Sequence, residues 1–461
     1  MKHQYVREQL YQKYIAPTKE KRSSCIGIEI EMPILNLEKK AVDFSIVHKV
    51  TERFMEQFQF RAAGTDEEGN IYSAYQEEQG DFLSYDCSYN NLELSLGKEL
   101  ELFAIYGRIR IYYDFLQKEF QKYHYTLTGM GVNPYRIYNH NVPIPNGRYR
   151  MLFHHLNSFQ NYNVPMYFHK YPAYGTFSSA SQVQLDVNYE DLLTTIRVFS
   201  MIEPIKAVLF SNSVLLGEQE DLLCCRDMFW ENSTHGINPH NIGMFDCELQ
   251  EEEDLLSYIE STSIYCVERE GKYINFPPVR IMEYFDLPYI EGEYYEDGSY
   301  KKLKIVPQIS DIQYLRTFKF EDLTYRGTIE FRSVCCQPMR DCMTVAAFHL
   351  GLKNQLYQLE ELLNNDHVIY HHGYTPGELR RMFIRSQQPS FVDSDALYKL
   401  VGQVLDLAKL GLENRGYGEE NLLLPLYSRM KNRTNPARRL LDLRNQGTEL
   451  EDIILEYGQL G

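Results

Sequence analysis

Four short stretches place carboxylates or amides two residues apart inside apolar runs: Gly27-Ile28-Glu29-Ile30-Glu31-Met32, Asn91-Leu92-Glu93-Leu94-Ser95-Leu96, Ser181-Gln182-Val183-Gln184-Leu185-Asp186-Val187 and Gly327-Thr328-Ile329-Glu330-Phe331-Arg332. A β-strand sends alternate side chains to opposite faces, so each stretch reads as a strand with one apolar face and one acidic or amide-bearing face. For any single strand a wet outer face is the ordinary explanation. Together the four look different, because solvated faces mix signs and here the polar residues are few, short and mostly oxygen donors. If Glu29, Glu31, Glu93 and Glu330 share one face in a cleft, their repulsion forces protonation unless cations neutralise them. Oxygen-only ligands select Mg²⁺, Mn²⁺ or Ca²⁺ over zinc.

The chain around these strands has 461 residues, which suggests two or three domains, and its 44% hydrophobic content is ample for a core. A formal net charge of -17 argues against nucleic acid, which requires a basic stripe. Anionic substrates must therefore meet locally arranged arginines or metal ions. No apolar run approaches the roughly 18 residues that cross a bilayer, and Met1-Lys2-His3-Gln4-Tyr5 lacks a signal-peptide core, so a cytoplasmic protein without a membrane partner is expected. Nine cysteines, with neither a C-x-x-C spacing nor a disulfide framework, are expected to be reduced and buried.

The elements that position the strands follow from periodicity. Residues 1–22 read as a basic helix, 25–33 as the first strand, 45–58 as an amphipathic helix, 64–75 as a hairpin and 98–123 as a helix. Residues 133–150, with three prolines, read as a surface loop of the kind that carries binding residues. Residues 189–215 have helical spacing, and Glu251-Glu252-Glu253-Asp254 reads as a solvated patch, with a helix amino terminus as the alternative. Residues 289–303 resemble a hairpin, and from 342 onward the pattern is helical over 342–365, 376–386, 394–414 and 436–459. Strands first and helices last is an α+β layout.

In this context the chain resembles the glutamate-cysteine ligase superfamily of carboxylate-amine ligases, in particular the branch with plant-type and many bacterial enzymes. The resemblance is carried by Gly27-Ile28-Glu29-Ile30-Glu31, Asp86 with Glu93, Ile144-Pro145-Asn146-Gly147-Arg148-Tyr149, Gln182-Val183-Gln184-Leu185-Asp186, Leu209-Phe210-Ser211-Asn212-Ser213, Arg226 with Trp230, and Thr328-Ile329-Glu330-Phe331-Arg332. Each motif is weak alone; the ordered set is more specific.

The resemblance implies a glutamine synthetase-like domain over 1–375, its mainly antiparallel sheet curved into a funnel with helices outside, and a helical region over 376–461 packed on it. It implies an enzyme that phosphorylates the γ-carboxylate of glutamate with ATP and joins it to the amine of cysteine, giving γ-glutamylcysteine. The same chemistry with another amine, or a non-catalytic nucleotide- or glutamate-binding member, is the alternative. Mg²⁺ or Mn²⁺ would be held by Glu29, Glu31, Asp86, Glu93, Gln182 and Glu330. Arg332, with Glu330, would act on the transferring phosphoryl group; its duller role is a structural ion pair. Arg226 and Arg148 would hold substrate carboxylates, although Arg226 could instead cap a helix. Gln184, Tyr149 and Trp230 would line the substrate site. Small-molecule substrates are the expected partners, on a monomer or homodimer.

Two departures bear on the acceptor. Gln184 stands where the branch usually has Asn, and Ser233-Thr234-His235-Gly236 lacks an expected arginine. The pairs His154-His155 and His371-His372 lack partners at ligand spacing and read as surface or packing residues.

Overall fold

The computed structural model describes residues 2–245 and 247–461. Its strands, in chain order, are β1 (Ile26–Asn36), β2 (Arg61–Thr65), β3 (Ile71–Gln76), β4 (Asp81–Tyr85), β5 (Asn91–Glu99), β6 (Tyr125–Leu127), β7 (Ser181–Asp186), β8 (Ile242–Gly243), β9 (Ser263–Arg269), β10 (Lys272–Arg280), β11 (Ile290–Glu296), β12 (Ser299–Ile305), β13 (Phe318–Lys319), β14 (Glu321–Leu323) and β15 (Thr328–Phe331). The four polar strands lie together in an open sheet of order β14-β15-β7-β1-β5-β4-β3-β2, with β6 on the far end of β1. All its pairings are antiparallel. Strands β9 to β12 form a second antiparallel sheet, and β8 pairs with β13 in parallel.

Register converts the alternation into one polar surface. Glu29 lies opposite Ser95 on one side and Gln182 on the other, Glu31 opposite Glu93, Ser84 opposite Glu93, and Glu330 between Gln184 and Asp322. The other face presents Ile28, Ile30, Leu94, Val183, Leu185, Ile329 and Phe331, all buried in the main core. A slip of one residue would exchange the two faces, and burial of each large apolar side chain, about 1.5–3 kcal/mol, holds the register.

Helices α1 (Lys2–Tyr14), α2 (Phe44–Phe58) and α3 (Leu102–Gln121) precede α4 (Gly147–Asn157), α5 (Leu192–Met201), α6 (Glu203–Phe210), α7 (Cys225–Glu231), α8 (Glu252–Glu260) and α9 (Ile281–Asp286). The carboxy-terminal set is α10 (Thr344–Lys353), α11 (Leu356–Asn364), α12 (Pro376–Phe383), α13 (Ser394–Glu413), α14 (Leu424–Asn432), α15 (Pro436–Asn445) and α16 (Leu450–Tyr457). Helix α10 packs on β7 and crosses α13, while α12 packs on α6.

Several local expectations are corrected. The segment read as a loop through Arg150 turns helical at Gly147, because the Asn146 side chain accepts the Tyr149 N–H and caps α4. Arg148 and Tyr149 therefore project from a helix. The acidic run starts α8 through a capping box between Glu251 and Asp254, although Glu251 and Glu253 remain exposed. The 189–215 helix is two helices that meet at Ile202, with Pro204 at the start of the second. Residues 436–459 likewise divide, at the positive-φ Gly447. Seven cysteines are buried, but Cys25 is half-buried and Cys247 exposed.

Candidate active site

The polar sheet face floors a cavity of about 750 Å³. All twelve residues singled out from the sequence line it: Glu29, Glu31, Asp86, Glu93, Gln182, Gln184, Glu330, Arg332, Arg226, Arg148, Tyr149 and Trp230. Asp186 lies outside, at the sheet rim, where it accepts the Cys25 N–H. The paired histidines are outside too: His154 bonds Glu293 at 2.8 Å, and His155 is buried against the Tyr265 ring.

The carboxylates are held by short polar arms from neighbouring strands. Glu31 accepts from Gln182 Nε2 at 2.8 Å and from the Ala180 N–H at 2.7 Å. Glu29 accepts from Gln184 Nε2 at 3.0 Å, and Glu93 from Ser95 Oγ at 2.5 Å and Ser84 Oγ at 3.3 Å. Burial, reinforced by the neighbouring Asp86, pushes Glu31 up to about 8 and Glu93 up to about 6. Burial and the charges of Glu330 and Glu93 raise Glu29 well above the ordinary carboxylate range. Asp86 is raised by burial against the pull of Arg148.

These groups fit a hard divalent cation. The donors are all oxygen, their protons are those a cation would displace, and Gln182 Oε1 is buried with no hydrogen-bond partner. Among the described residues no three His, Cys, Asp or Glu side chains form a closed ligand set.

The arginines occupy distinct positions. Arg332 donates to Glu330 Oε1 at 2.6 Å, so its structural ion pair is with Glu330 itself, and it still faces the cavity. Arg226, in the first turn of α7, donates to Ser178 Oγ and the Ser333 carbonyl, each at 3.3 Å, and caps no preceding helix. Trp230, on the same helix, stacks on Phe318 with centroids 4.8 Å apart, and Tyr149 donates to the Tyr85 carbonyl at 3.2 Å. The amide of Gln184, whose extra methylene distinguishes it from Asn, is held at both ends: Arg326 donates to its Oε1 at 2.6 Å.

Sequence reasoning missed Lys13, Arg316, Asp322 and Arg326, which also line the cavity. Only Asp322 had a signal, since it faces Glu330 across β14 and β15. The others arrive through tertiary packing. His235, in the segment lacking the expected arginine, lines the cavity as a neutral ring, because burial lowers it to about 3.

The chain is similar to known proteins. The family model described as glutamate-cysteine ligase family 2 matches residues 26–456. The chloroplastic glutamate-cysteine ligase of Solanum lycopersicum is 25% identical over 313 residues, covering 66% of this chain and 54% of the relative. That of Arabidopsis thaliana is 25% identical over 327 residues, covering 69% and 57%. The chain thus spans about half the length of the curated relatives it matches. Among solved structures, the glutamate-cysteine ligase of Francisella tularensis in complex with AMP aligns with a TM-score of 0.50 at 12% identity, over 95% of this chain and 88% of the other, a likeness of fold.

Proposed function

Since the chain belongs to glutamate-cysteine ligase family 2, we propose that it is an ATP-dependent ligase that joins the γ-carboxylate of glutamate to the amine of cysteine. A γ-carboxylate oxygen attacks the terminal phosphorus of ATP, releasing ADP and leaving an acyl phosphate. The amine nitrogen then attacks the acyl carbon; phosphate leaves and the nitrogen loses a proton. Both relatives described above carry the name glutamate-cysteine ligase, and the AMP in the Francisella tularensis enzyme supports an adenine nucleotide as co-substrate.

The observation that supports this most is the single cavity in which Glu29, Glu31, Asp86, Glu93 and Glu330 meet Arg226 and Arg332. Two polyanions, ATP and glutamate, must approach each other, and a bound Mg²⁺ or Mn²⁺ supplies the charge that makes the approach tolerable. The five carboxylates and the orphaned Gln182 oxygen are the residues that would hold it. Arg332, steadied by Glu330, would pair with oxygens of the transferring phosphoryl group. Arg226 is fixed by two hydrogen bonds and keeps N–H groups for a substrate carboxylate.

Among the described residues no helix is long and apolar enough to cross a membrane. A cytoplasmic monomer or homodimer is our reading of the working form, tested by fractionation and light scattering.

The test of function is phosphate release from ATP with Mg²⁺ and L-glutamate against a panel of amines, with products weighed by mass spectrometry. Release with cysteine and the mass of γ-glutamylcysteine is expected. Release only with another amine moves the acceptor, and no release with any amine overturns the ligase reading.

A further inference from the structure

Two glutamines of β7 reach the carboxylates of β1 in the same way. Gln182 lies opposite Glu29 in the register but bonds to Glu31, and Gln184 lies opposite Gly27 but bonds to Glu29, so each amide leans past its own register partner to a carboxylate beyond it. Their oxygens differ. Gln182 Oε1 is buried with no hydrogen-bond partner, whereas Gln184 Oε1 accepts from Arg326 Nη2 at 2.6 Å. An arginine can only donate and an ionised carboxylate can only accept, so the Gln184 amide between them has one allowed orientation. The reverse would set its oxygen against Glu29 and its NH₂ against the guanidinium.

Arg326 is exposed, yet its backbone is fixed. It sits in the turn joining β14 to β15, which closes through the Thr324 N–H on the Thr328 carbonyl at 2.9 Å, the Gly327 N–H on the Thr324 carbonyl at 3.1 Å, and the paired Thr324 and Thr328 hydroxyls at 2.7 Å. Gly327 has a φ of +70°, where a side chain is strained, and the Arg22 guanidinium takes the space its Cβ would fill. From there Arg22 donates to the Arg326 carbonyl at 2.8 Å and to the Pro17 carbonyl. The segment before β1 thus ties down the turn that carries Arg326. Resting on the ligase reading above, we propose that Arg326 and Gln184 are positioning residues for the cation site: the arginine fixes the amide, the amide fixes Glu29, and Gln184 is neither a ligand nor a substrate contact. The longer side chain allows this, since asparagine, shorter by about 1.5 Å, falls short of spanning Glu29 and Arg326 together.

The experiment titrates Mn²⁺ alone into the full chain, with free Mn²⁺ read by electron paramagnetic resonance. Charge and positioning predict opposite signs. Removing a cation from beside carboxylates tightens a divalent ion by Coulomb's law, whereas releasing Glu29 weakens its binding. Arg326→Met and Gln184→Asn are each expected to raise the Mn²⁺ Kd by about 10- to 100-fold, and the double variant by no more than either, because both cut one chain of contacts. Arg326→Lys, which keeps the charge and a donor, should bind Mn²⁺ more tightly than Arg326→Met. The melting temperature of Arg326→Met without metal should stay close to wild type, since the side chain is exposed. Mn²⁺ binding by Arg326→Met that equals or exceeds that of wild type overturns the proposal, as do additive losses in the double variant or a wild type that binds no Mn²⁺. A raised ATP KM at unchanged Mn²⁺ affinity also overturns it and gives Arg326 to the nucleotide. Turnover is read separately: the expected Mn²⁺ pattern in a chain that turns over no acceptor removes the ligase reading and keeps the arm, and an active ligase whose variants bind Mn²⁺ like wild type removes the arm alone.

Discussion

Arg380 donates to both carboxylate oxygens of Asp227, at 2.6 and 3.0 Å, from a helix 153 residues further along the chain. The same guanidinium reaches Glu203 Oε2 at 2.6 Å and the Ser333 carbonyl at 3.4 Å. Arg226, the neighbour of Asp227, donates to that carbonyl as well. Helix α12 thus fixes the turn of α7 that presents Arg226 to the cavity. Arg380→Met leaves the buried Asp227 without its ion-pair partner and Glu203 with Lys206 alone, and should cost about 3–5 kcal/mol in urea unfolding. Arg380→Lys keeps the charge but not the fork, so it should cost less and raise the glutamate KM through Arg226. A lysine variant with wild-type stability and KM would disprove the coupling.

Glu330 offers a test that separates binding from fold. Glu330→Gln keeps shape and removes one of several like charges, while giving up the ion pair with Arg332. Turnover should fall by about 10²–10³-fold or more, and the unliganded melting temperature should stay close to wild type. Mg²⁺ with nucleotide should raise the melting temperature of wild type more than that of the variant, because only a ligand bound to the native state adds stability. Equal shifts in the two proteins would remove Glu330 from the cation site.

What the sequence revealed of this site was whatever one strand encodes locally. Glu29 and Glu31, Gln182 and Gln184, and Glu93 alternate with buried apolar residues, and period 2 suffices to put each set on one face. Arg148 was found, but its setting was misread, because Pro143 and Pro145 hid the cap at Asn146. Lys13 and Arg316 had no local signal: one lies on a basic helix, the other in a short link, and only packing turns them toward the carboxylates. The ordered family motifs linked the strands, whereas the hold of α12 on α7 depends on a contact no local pattern encodes.

Lys13 predicts an alkaline dependence. It lines the cavity and donates to the carbonyls of Ile312 and Leu315 at 2.7 and 3.0 Å. Burial, aided by Arg316 and opposed by Asp322, lowers it to about 8. A folded-state value below the ordinary 10.5 means that folding disfavours the charged form. From this group stability should rise as pH climbs from about 8 to 10.5, while the cavity loses one positive charge over the lower part of that window. The KM for anionic substrates should therefore rise above pH 8 in wild type and much less in Lys13→Met. Parallel pH profiles would exclude Lys13 as the titrating group.

The crossing of α10 and α13 tests whether the carboxy-terminal helices fold with the sheet. A Cβ on Gly411 would lie 1.9 Å from the Gly351 carbonyl oxygen, and one on Gly351 would lie 2.2 Å from that of Ala408, so the helices touch backbone to backbone. These oxygens belong to regular helix and cannot swing aside as a side-chain end can. Gly411→Ala gains roughly 1 kcal/mol of helix propensity but must push the helices apart, and overpacking of about 1–3 kcal/mol or more outweighs that gain. Gly107 on α3 is the control, because a Cβ there meets nothing within 4 Å. Gly107→Ala should stabilise by about 0.5–1 kcal/mol. Because α10 also packs on β7, which carries Gln182 and Gln184, the Gly411 variant should lower the whole unfolding transition and weaken turnover together. A loss confined to a separate, earlier transition with activity intact would show that α13 folds apart from the catalytic sheet.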